Sequence, residues 1–90
     1  MRIVVFTQQG CKPCADLRPH LEAAAGMLKI EVEEWDVTDN WPLCQEYGVT
    51  YTPTAFVLDE HIDAVRLRTT DPKVRVPSAL AIKSELELYV

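Results

Sequence analysis

The chain has 90 residues, 48% of them hydrophobic, and a net charge of −5 from 14 acidic and 9 basic residues. This length allows one domain, residues 1–90, with a single modest core. The acidic balance argues against nucleic acid and anionic membrane surfaces as ligands, because both draw affinity from clustered Lys and Arg. No apolar run approaches the ~20 residues of a membrane span, and Gln8 interrupts the first run too early for a signal peptide. We therefore expect a cytoplasmic protein that contacts neither nucleic acid nor membrane.

The first third of the chain predicts a strand followed by a helix. Residues 2–7 form a buried strand in this prediction, because the sequence is continuously apolar from Ile3 to Phe6. Apolar residues then recur at helical spacing, at Leu17, Leu21, Ala24 and Leu28. They predict a helix from Cys11 to about Ala25, with a kink expected at Pro19 and its end at Gly26.

The middle of the chain predicts an edge strand and a short helix. Apolar and acidic residues alternate from Ile30 to Trp35, which is typical of a strand at the edge of a sheet. Thr38 or Asp39 is expected to cap a short helix that runs through Tyr47. Gly48 suits the left-handed position just after such a helix.

The last third predicts a hairpin, a loop and a closing helix. The hairpin joins a strand over residues 54–58 to a strand over residues 62–67, and a loop over residues 69–77 precedes a helix from Ser78. The element order is therefore β-α-β-α-β-β-α. Because a β-α-β unit implies parallel pairing and a hairpin implies antiparallel pairing, we expect an α/β fold with a four-stranded mixed sheet flanked by three helices.

Two cysteines stand at the predicted junction of the first strand and the first helix, in Cys11-Lys12-Pro13-Cys14. A thiol at a helix N-terminus faces free N–H groups and the positive end of the helix dipole, so its thiolate is stabilised. This motif predicts a dithiol that opens and closes a disulfide. Cys11, beside the charge of Lys12, is the expected nucleophile, and Cys14 is the expected resolving thiol.

Other interpretations of the cysteines stay open at this point. Cys11, Cys14 and Cys44 with His20 form a Cys3His set, but their spacing matches no common zinc pattern, so we expect no metal site. The two thiols could also be inert residues on a helix. Cys44 is expected to be a buried bystander, with a regulatory or dimer-forming thiol as the alternative.

Four features together resemble the thioredoxin-like superfamily over nearly the whole chain. They are the C-x-x-C after the first strand, Pro19 five residues after Cys14, Tyr47-Gly48-Val49 before the third strand, and Thr52-Pro53-Thr54 at the position of the family's cis-proline. The chain is shorter than thioredoxin, and its layout is similar to that of glutaredoxins. It therefore resembles a small thioredoxin/glutaredoxin-like protein.

The resemblance implies a thiol–disulfide oxidoreductase that reduces protein disulfides. It implies that Pro53 is a cis-proline and that Thr52 presents its backbone for strand-like pairing with a substrate beside Cys11. Without the resemblance, Pro53 could equally be a trans-proline at a strand start. Four further residues are expected to contact the substrate: Lys12, Pro13, Thr70 and Asp71.

The sequence also departs from the family pattern. Val5 stands where thioredoxins bury a proton-shuttling acid, and Gln8 where glutaredoxins often place a glutathione-binding lysine. Thr69-Thr70-Asp71 replaces a glycine that normally lets the substrate backbone approach.

The expected partners follow from the same resemblance. We expect a monomer without a bound cofactor that acts on disulfide-containing proteins and takes electrons from a thioredoxin reductase or from glutathione. The alternatives are a glutathione-dependent glutaredoxin-like reductase and a non-catalytic thioredoxin-fold adaptor or metal-binding module.

Overall fold

The computed structural model describes residues 1–70 and 77–90, which contain four strands and three helices. In chain order they are β1 (Arg2–Thr7), α1 (Lys12–Met27), β2 (Glu31–Asp36), α2 (Trp41–Tyr47), β3 (Thr54–Asp59), β4 (Ile62–Arg66) and α3 (Ala79–Leu86). This order confirms the predicted sequence of elements. Within these residues no helix combines the length and the apolar character that a membrane span needs.

The four strands form one mixed sheet in the order β2-β1-β3-β4. The central strand β1 runs parallel to β2 and antiparallel to β3, with Phe6 opposite both Trp35 and Thr54. The strands β3 and β4 form the antiparallel hairpin, with a register irregularity between Val57 and Asp59. The predicted four-stranded mixed sheet flanked by three helices is therefore confirmed.

Both faces of the sheet are covered, which explains why β1 is apolar without alternation. On one face Ile3 and Val5 pack in a cluster that includes buried residues of α1 and α3. On the other face Val4 and Phe6 pack against the buried Cys44 of α2. The Phe6 ring meets the Trp35 ring edge-on, with centroids 5.4 Å apart. Fully burying one such large apolar side chain contributes about 1.5–3 kcal/mol.

The first two helices differ from the prediction at their ends. Helix α1 continues through Gly26 to Met27, and the chain reverses at Lys29, whose φ of 57° lies in the left-handed region. The expected cap of α2 at Thr38 or Asp39 is wrong, because Asn40 occupies that position.

A turn explains the shifted cap. The Asp36 carboxylate accepts a hydrogen bond of 2.8 Å from the Thr38 N–H, and the Asp36 carbonyl accepts one of 3.1 Å from the Asp39 N–H. These bonds hold residues 36–39 in a turn, so the helix can begin only after Asn40.

The closing helix begins where the sequence predicts. The Ser78 hydroxyl accepts a hydrogen bond of 3.2 Å from the Ala81 N–H and so caps α3. Ile82 and Leu86 are fully buried. Strand β4 ends one residue earlier than predicted, at Arg66, and most of the loop predicted over residues 69–77 lies outside the described residues.

Candidate active site at the start of helix α1

Cys11 and Cys14 are joined by a disulfide bond, with their Cα atoms 5.3 Å apart. Cys11 is the N-cap residue of α1, with extended backbone angles, and Lys12 and Pro13 are the first two helical residues. A proline suits this position because its fixed φ is helical and its missing N–H has no partner in the first turn. The local sequence thus fixes the first cysteine at the helix start and the second one turn into the helix.

The turn between β1 and α1 depends on Gly10. Its φ is 80°, a conformation that residues with a side chain rarely adopt. The Cys11 N–H donates a hydrogen bond of 3.1 Å to the Gln8 carbonyl across this turn. The turn therefore delivers Cys11 directly from the end of the central strand.

The Cys11 sulfur lies among polar groups. The Cys14 N–H donates to it at 3.2 Å and the Thr52 hydroxyl at 3.5 Å, while the Thr52 carbonyl oxygen lies 3.9 Å away. Cys11 is partly exposed, whereas Cys14 is only 8% exposed. Two donors aimed at one accessible sulfur would stabilise the negative charge that appears on it when the disulfide is reduced.

Thr52 and Pro53 are brought next to this sulfur by the loop before β3. The Thr52–Pro53 peptide bond is cis, and Pro53 is buried. The Thr54 hydroxyl donates a hydrogen bond of 2.6 Å to the Tyr51 carbonyl and closes the turn. Among residues 1–70 and 77–90, the Thr52 N–H has no backbone acceptor. Within the described part of the chain, the N–H and carbonyl of Thr52 therefore lie beside the disulfide without a backbone partner.

Lys12 and Pro13 lie on the exposed outer side of the first turn of α1. The Lys12 side chain is 86% exposed, and its Nζ lies 3.3 Å from the Asp16 carboxylate one turn along the helix. Exposed pairs of this kind contribute little stability. Both residues border the disulfide, and their predicted contact with a substrate stays a prediction.

The other two predicted contact residues, Thr70 and Asp71, follow β4 in the sequence. Thr70 is 3% exposed, and its hydroxyl donates a hydrogen bond of 2.9 Å to the Leu67 carbonyl. Asp71 lies outside the described residues. The predicted contacts of Thr70 and Asp71 with a substrate stay predictions.

A carboxylate from α3 holds the same loop. Glu85 accepts hydrogen bonds from the Arg68 N–H at 2.7 Å, the Thr69 N–H at 2.8 Å and the Thr69 hydroxyl at 2.6 Å. The sequence gives no sign of this clamp, because a charged residue in an amphipathic helix is most simply a solvated one.

One depression includes Thr52, whose hydroxyl lies 3.5 Å from the Cys11 sulfur, and another is lined by both cysteines. The first has a volume of about 400 Å³ and contains Trp41, which is 62% exposed. We call it the Trp41 groove; its lining residues are Gln8, Val37, Trp41, Cys44, Val49, Thr50, Tyr51 and Thr52. A larger depression of about 500 Å³, around Arg2 and Asp59, includes neither of these cysteines nor Thr52.

The depression that Cys11 and Cys14 line in part has a volume of about 220 Å³, and Arg18 and Glu34 also line it. The Arg18 Nε lies 3.1 Å from Glu22 and 3.1 Å from Glu34. The hydrogen bond to Glu22 and the charge of Glu34 raise the pKa of the Arg18 guanidinium.

Cys44 lies at the inner side of the Trp41 groove and is 2% exposed. Burial raises the pKa of its thiol, because a thiolate there would lose its hydration. In the described part of the chain, no three His, Cys, Asp or Glu residues are grouped so that they could hold a metal ion.

Comparisons with known proteins agree with this site. The family model for thioredoxin matches residues 1–80. The chain belongs to the thioredoxin family, which confirms the resemblance seen in the sequence. With the disulfide between Cys11 and Cys14, this membership identifies a thiol–disulfide oxidoreductase in general terms. A comparison with curated protein sequences gives no match.

Several solved structures share the fold. Thioredoxin 1 from Thermosipho africanus TCF52B is 25% identical, with a TM-score of 0.75 over 99% of this chain and 93% of that chain. The J-Trx1 fragment of ERdj5 is 21% identical, with a TM-score of 0.76 over 97% of this chain but 41% of the fragment. Oxidised thioredoxin from Plasmodium falciparum is 22% identical, with a TM-score of 0.65 over 97% of this chain and 78% of that chain.

Proposed function

We propose that this protein reduces disulfide bonds in other proteins, with Cys11 as the nucleophile and Cys14 as the resolving thiol. The observation that supports these roles is the difference between the two sulfurs. Cys11 is partly exposed and accepts two hydrogen bonds, whereas Cys14 is buried. A nucleophile must be reached by its substrate, while a resolving thiol need only reach the neighbouring sulfur.

The proposed reaction transfers two electrons in two exchanges. The Cys11 thiolate attacks one sulfur of a substrate disulfide, forms a mixed disulfide and releases the other substrate sulfur as a thiolate. The Cys14 thiolate then attacks the Cys11 sulfur, releases the second substrate thiolate and leaves the Cys11–Cys14 disulfide. The substrate is reduced and the protein is oxidised, as in the state described above.

The substrate is proposed to dock on the Thr52 side of the disulfide. The N–H and carbonyl of Thr52 would pair with the substrate backbone, as an added strand pairs with a sheet edge. The exposed ring of Trp41 would receive apolar side chains that flank the substrate cysteine.

We propose that electrons return to the disulfide from a thioredoxin reductase, in a cytoplasmic monomer, and the alternative is return from glutathione. Recycling by glutathione alone, compared with recycling by an NADPH-linked thioredoxin reductase, separates the two reductants. Equilibration in glutathione buffers tests the direction. A reduction potential near the ~−270 mV of thioredoxin supports a reductant, and one near the ~−120 mV of DsbA supports an oxidant.

The cysteine roles are tested by three variants with insulin as the disulfide substrate. Cys11→Ser should lose insulin reduction. Cys14→Ser should form a covalent adduct with insulin that dithiothreitol releases, because the resolving step is missing. Cys44→Ala is the matched control, and it should keep activity and form no adduct. Insulin reduction by Cys11→Ser at the normal rate would contradict the proposal.

A further inference from the structure

Arg66, the last residue of β4, makes all of its observed side-chain contacts with neutral groups. Its Nη1 donates a hydrogen bond of 3.2 Å to the Tyr51 hydroxyl, and its Nη2 donates one of 3.2 Å to the Gly48 carbonyl. Its guanidinium carbon also lies 5.6 Å from the centroids of the Tyr51 and Phe56 rings. Within residues 1–70 and 77–90, no carboxylate lies within ion-pair distance of Arg66.

Three of these four contacts fall on the segment that leads to Thr52: the two hydrogen bonds and the contact with the Tyr51 ring. Residues 48–51 connect the end of α2 to Thr52, and Gly48 begins them in a left-handed conformation with a φ of 67°. The Val49 N–H is tied back to the Cys44 carbonyl at 2.8 Å, and the Tyr51 carbonyl accepts the Thr54 hydroxyl. Arg66 adds the tie that connects this segment to the β4 edge of the sheet.

The chemistry of arginine suits this task. Its guanidinium is a flat group with several fixed donors, so it can stack on a ring and donate to two acceptors at once. The two acceptors here stand three residues apart in the chain. A lysine at the same position would keep the charge but could not span both acceptors with a fixed geometry.

We propose that Arg66 is a positioning residue for substrate binding: it holds residues 48–51 so that the backbone of Thr52 stays in place to pair with a polypeptide substrate beside Cys11. This inference rests on the proposed function. Arg66 itself touches neither sulfur in the observed contacts. If the segment were loose, the substrate would have to order it on binding, which weakens binding and leaves the sulfur chemistry unchanged.

The test compares a polypeptide disulfide with a small one. Insulin uses the Thr52 backbone in this proposal, whereas dithiobis(nitrobenzoic acid) is too small to need strand pairing. In Arg66→Gln we expect the KM for insulin to rise about fivefold at nearly constant kcat, with the rate on the small disulfide within about twofold of normal. Arg66→Lys should show an intermediate rise. Tyr51→Phe, which removes one acceptor and keeps the ring, should raise the KM about twofold.

Arg2→Gln is the matched control, because Arg2 is an exposed arginine near the opposite end of the sheet whose side chain pairs with Glu33. In this variant the KM for insulin and the rate on the small disulfide should both be unchanged. An unchanged KM for insulin in Arg66→Gln would overturn the inference. An equal loss on the two substrates would also overturn it, because that loss indicates general damage to the fold or the sulfur chemistry. If Arg66→Gln does not fold, the KM of Tyr51→Phe for insulin tests the inference in its place. Cys11→Ser tests the proposed function separately.

Discussion

Two loops reach the end of the sheet where the disulfide lies, and they are held in opposite ways. The segment before β3 is tied by Arg66 through a ring and a carbonyl, and no described residue offers a backbone acceptor to the Thr52 N–H. The loop after β4 is tied by Glu85 through the N–H groups of Arg68 and Thr69. The N–H groups of Arg68 and Thr69 already have an acceptor and cannot also pair with a strand-like partner, so the difference favours docking on the Thr52 side.

The largest effect is expected from removing the Glu85 carboxylate, which holds the loop after β4. Glu85→Ala would leave three donors without their carboxylate, so we expect the free energy of unfolding to fall by roughly 2–4 kcal/mol. Urea unfolding measures this loss. Glu87→Ala, which removes an exposed pair with Lys83, should cost about 0.5 kcal/mol or less. The KM for insulin should stay within about twofold in both variants. A rise as large as that of Arg66→Gln would place the second loop in the substrate site.

A smaller effect is expected from the Thr52 hydroxyl. Thr52→Val keeps the shape of the side chain but removes the donor 3.5 Å from the Cys11 sulfur. Hydrogen bonds to charged groups are worth about 1.5–3 kcal/mol, so alkylation of reduced Cys11 by iodoacetamide at neutral pH should slow by about tenfold. Thr52→Ser retains the hydroxyl and should alkylate at nearly the normal rate. Equal alkylation rates in the unchanged protein, Thr52→Val and Thr52→Ser would show that this hydroxyl does not stabilise the Cys11 thiolate.

The Trp41 groove lies on the same side as Thr52, and its contribution should be smaller still. Trp41→Ala should raise the KM for insulin about threefold, because an exposed aromatic ring offers apolar contact to a partner. Trp41→Phe should keep most of that contact. Both variants should unfold within about 0.5 kcal/mol of the unchanged protein, since the ring is mostly outside the core. An unchanged KM for insulin in Trp41→Ala would indicate that the substrate docks on the Thr52 backbone and not on the Trp41 ring.

The smallest effect on activity is expected from Cys44. Cys44→Ala should keep the rate of insulin reduction within about twofold, because this thiol lies inside the fold. Burial raises its pKa, so the thiol stays protonated and unreactive at neutral pH. In the reduced protein, iodoacetamide should label Cys44 at least about tenfold more slowly than Cys11, and unfolding in urea should abolish the difference. Rapid labelling of Cys44 in the folded protein would reopen a regulatory role for this thiol.

The parts of the fold that the sequence predicts are those with a local signal. The apolar run of β1 and the helical spacing after Cys11 each depend on neighbours within a few residues. The same is true of the start of α3 at Ser78. The dithiol at a strand-to-helix junction is such a signal too, and it leads directly to the site.

The remaining features depend on contacts between distant residues. Arg66 and Tyr51 are 15 residues apart, and Glu85 and Thr69 are 16 apart, so no periodic pattern connects either pair. The cap of α2 moves to Asn40 because Asp36 bonds to Thr38, a side-chain choice that competes with capping further along. The register of the strands, the carboxylate that holds a loop and the side chain that bridges two elements all require the assembled sheet. They therefore cannot be predicted from local sequence.

The cap of α1 has one more consequence. The Cys14 N–H donates to the Cys11 sulfur, so this single backbone amide is next to the atom whose charge changes. Hydrogen bonds to a charged acceptor are shorter and stronger than those to a neutral one. The amide proton resonance of Cys14 should therefore follow the ionisation of Cys11 during an NMR titration of the reduced protein, and no chemical label is needed.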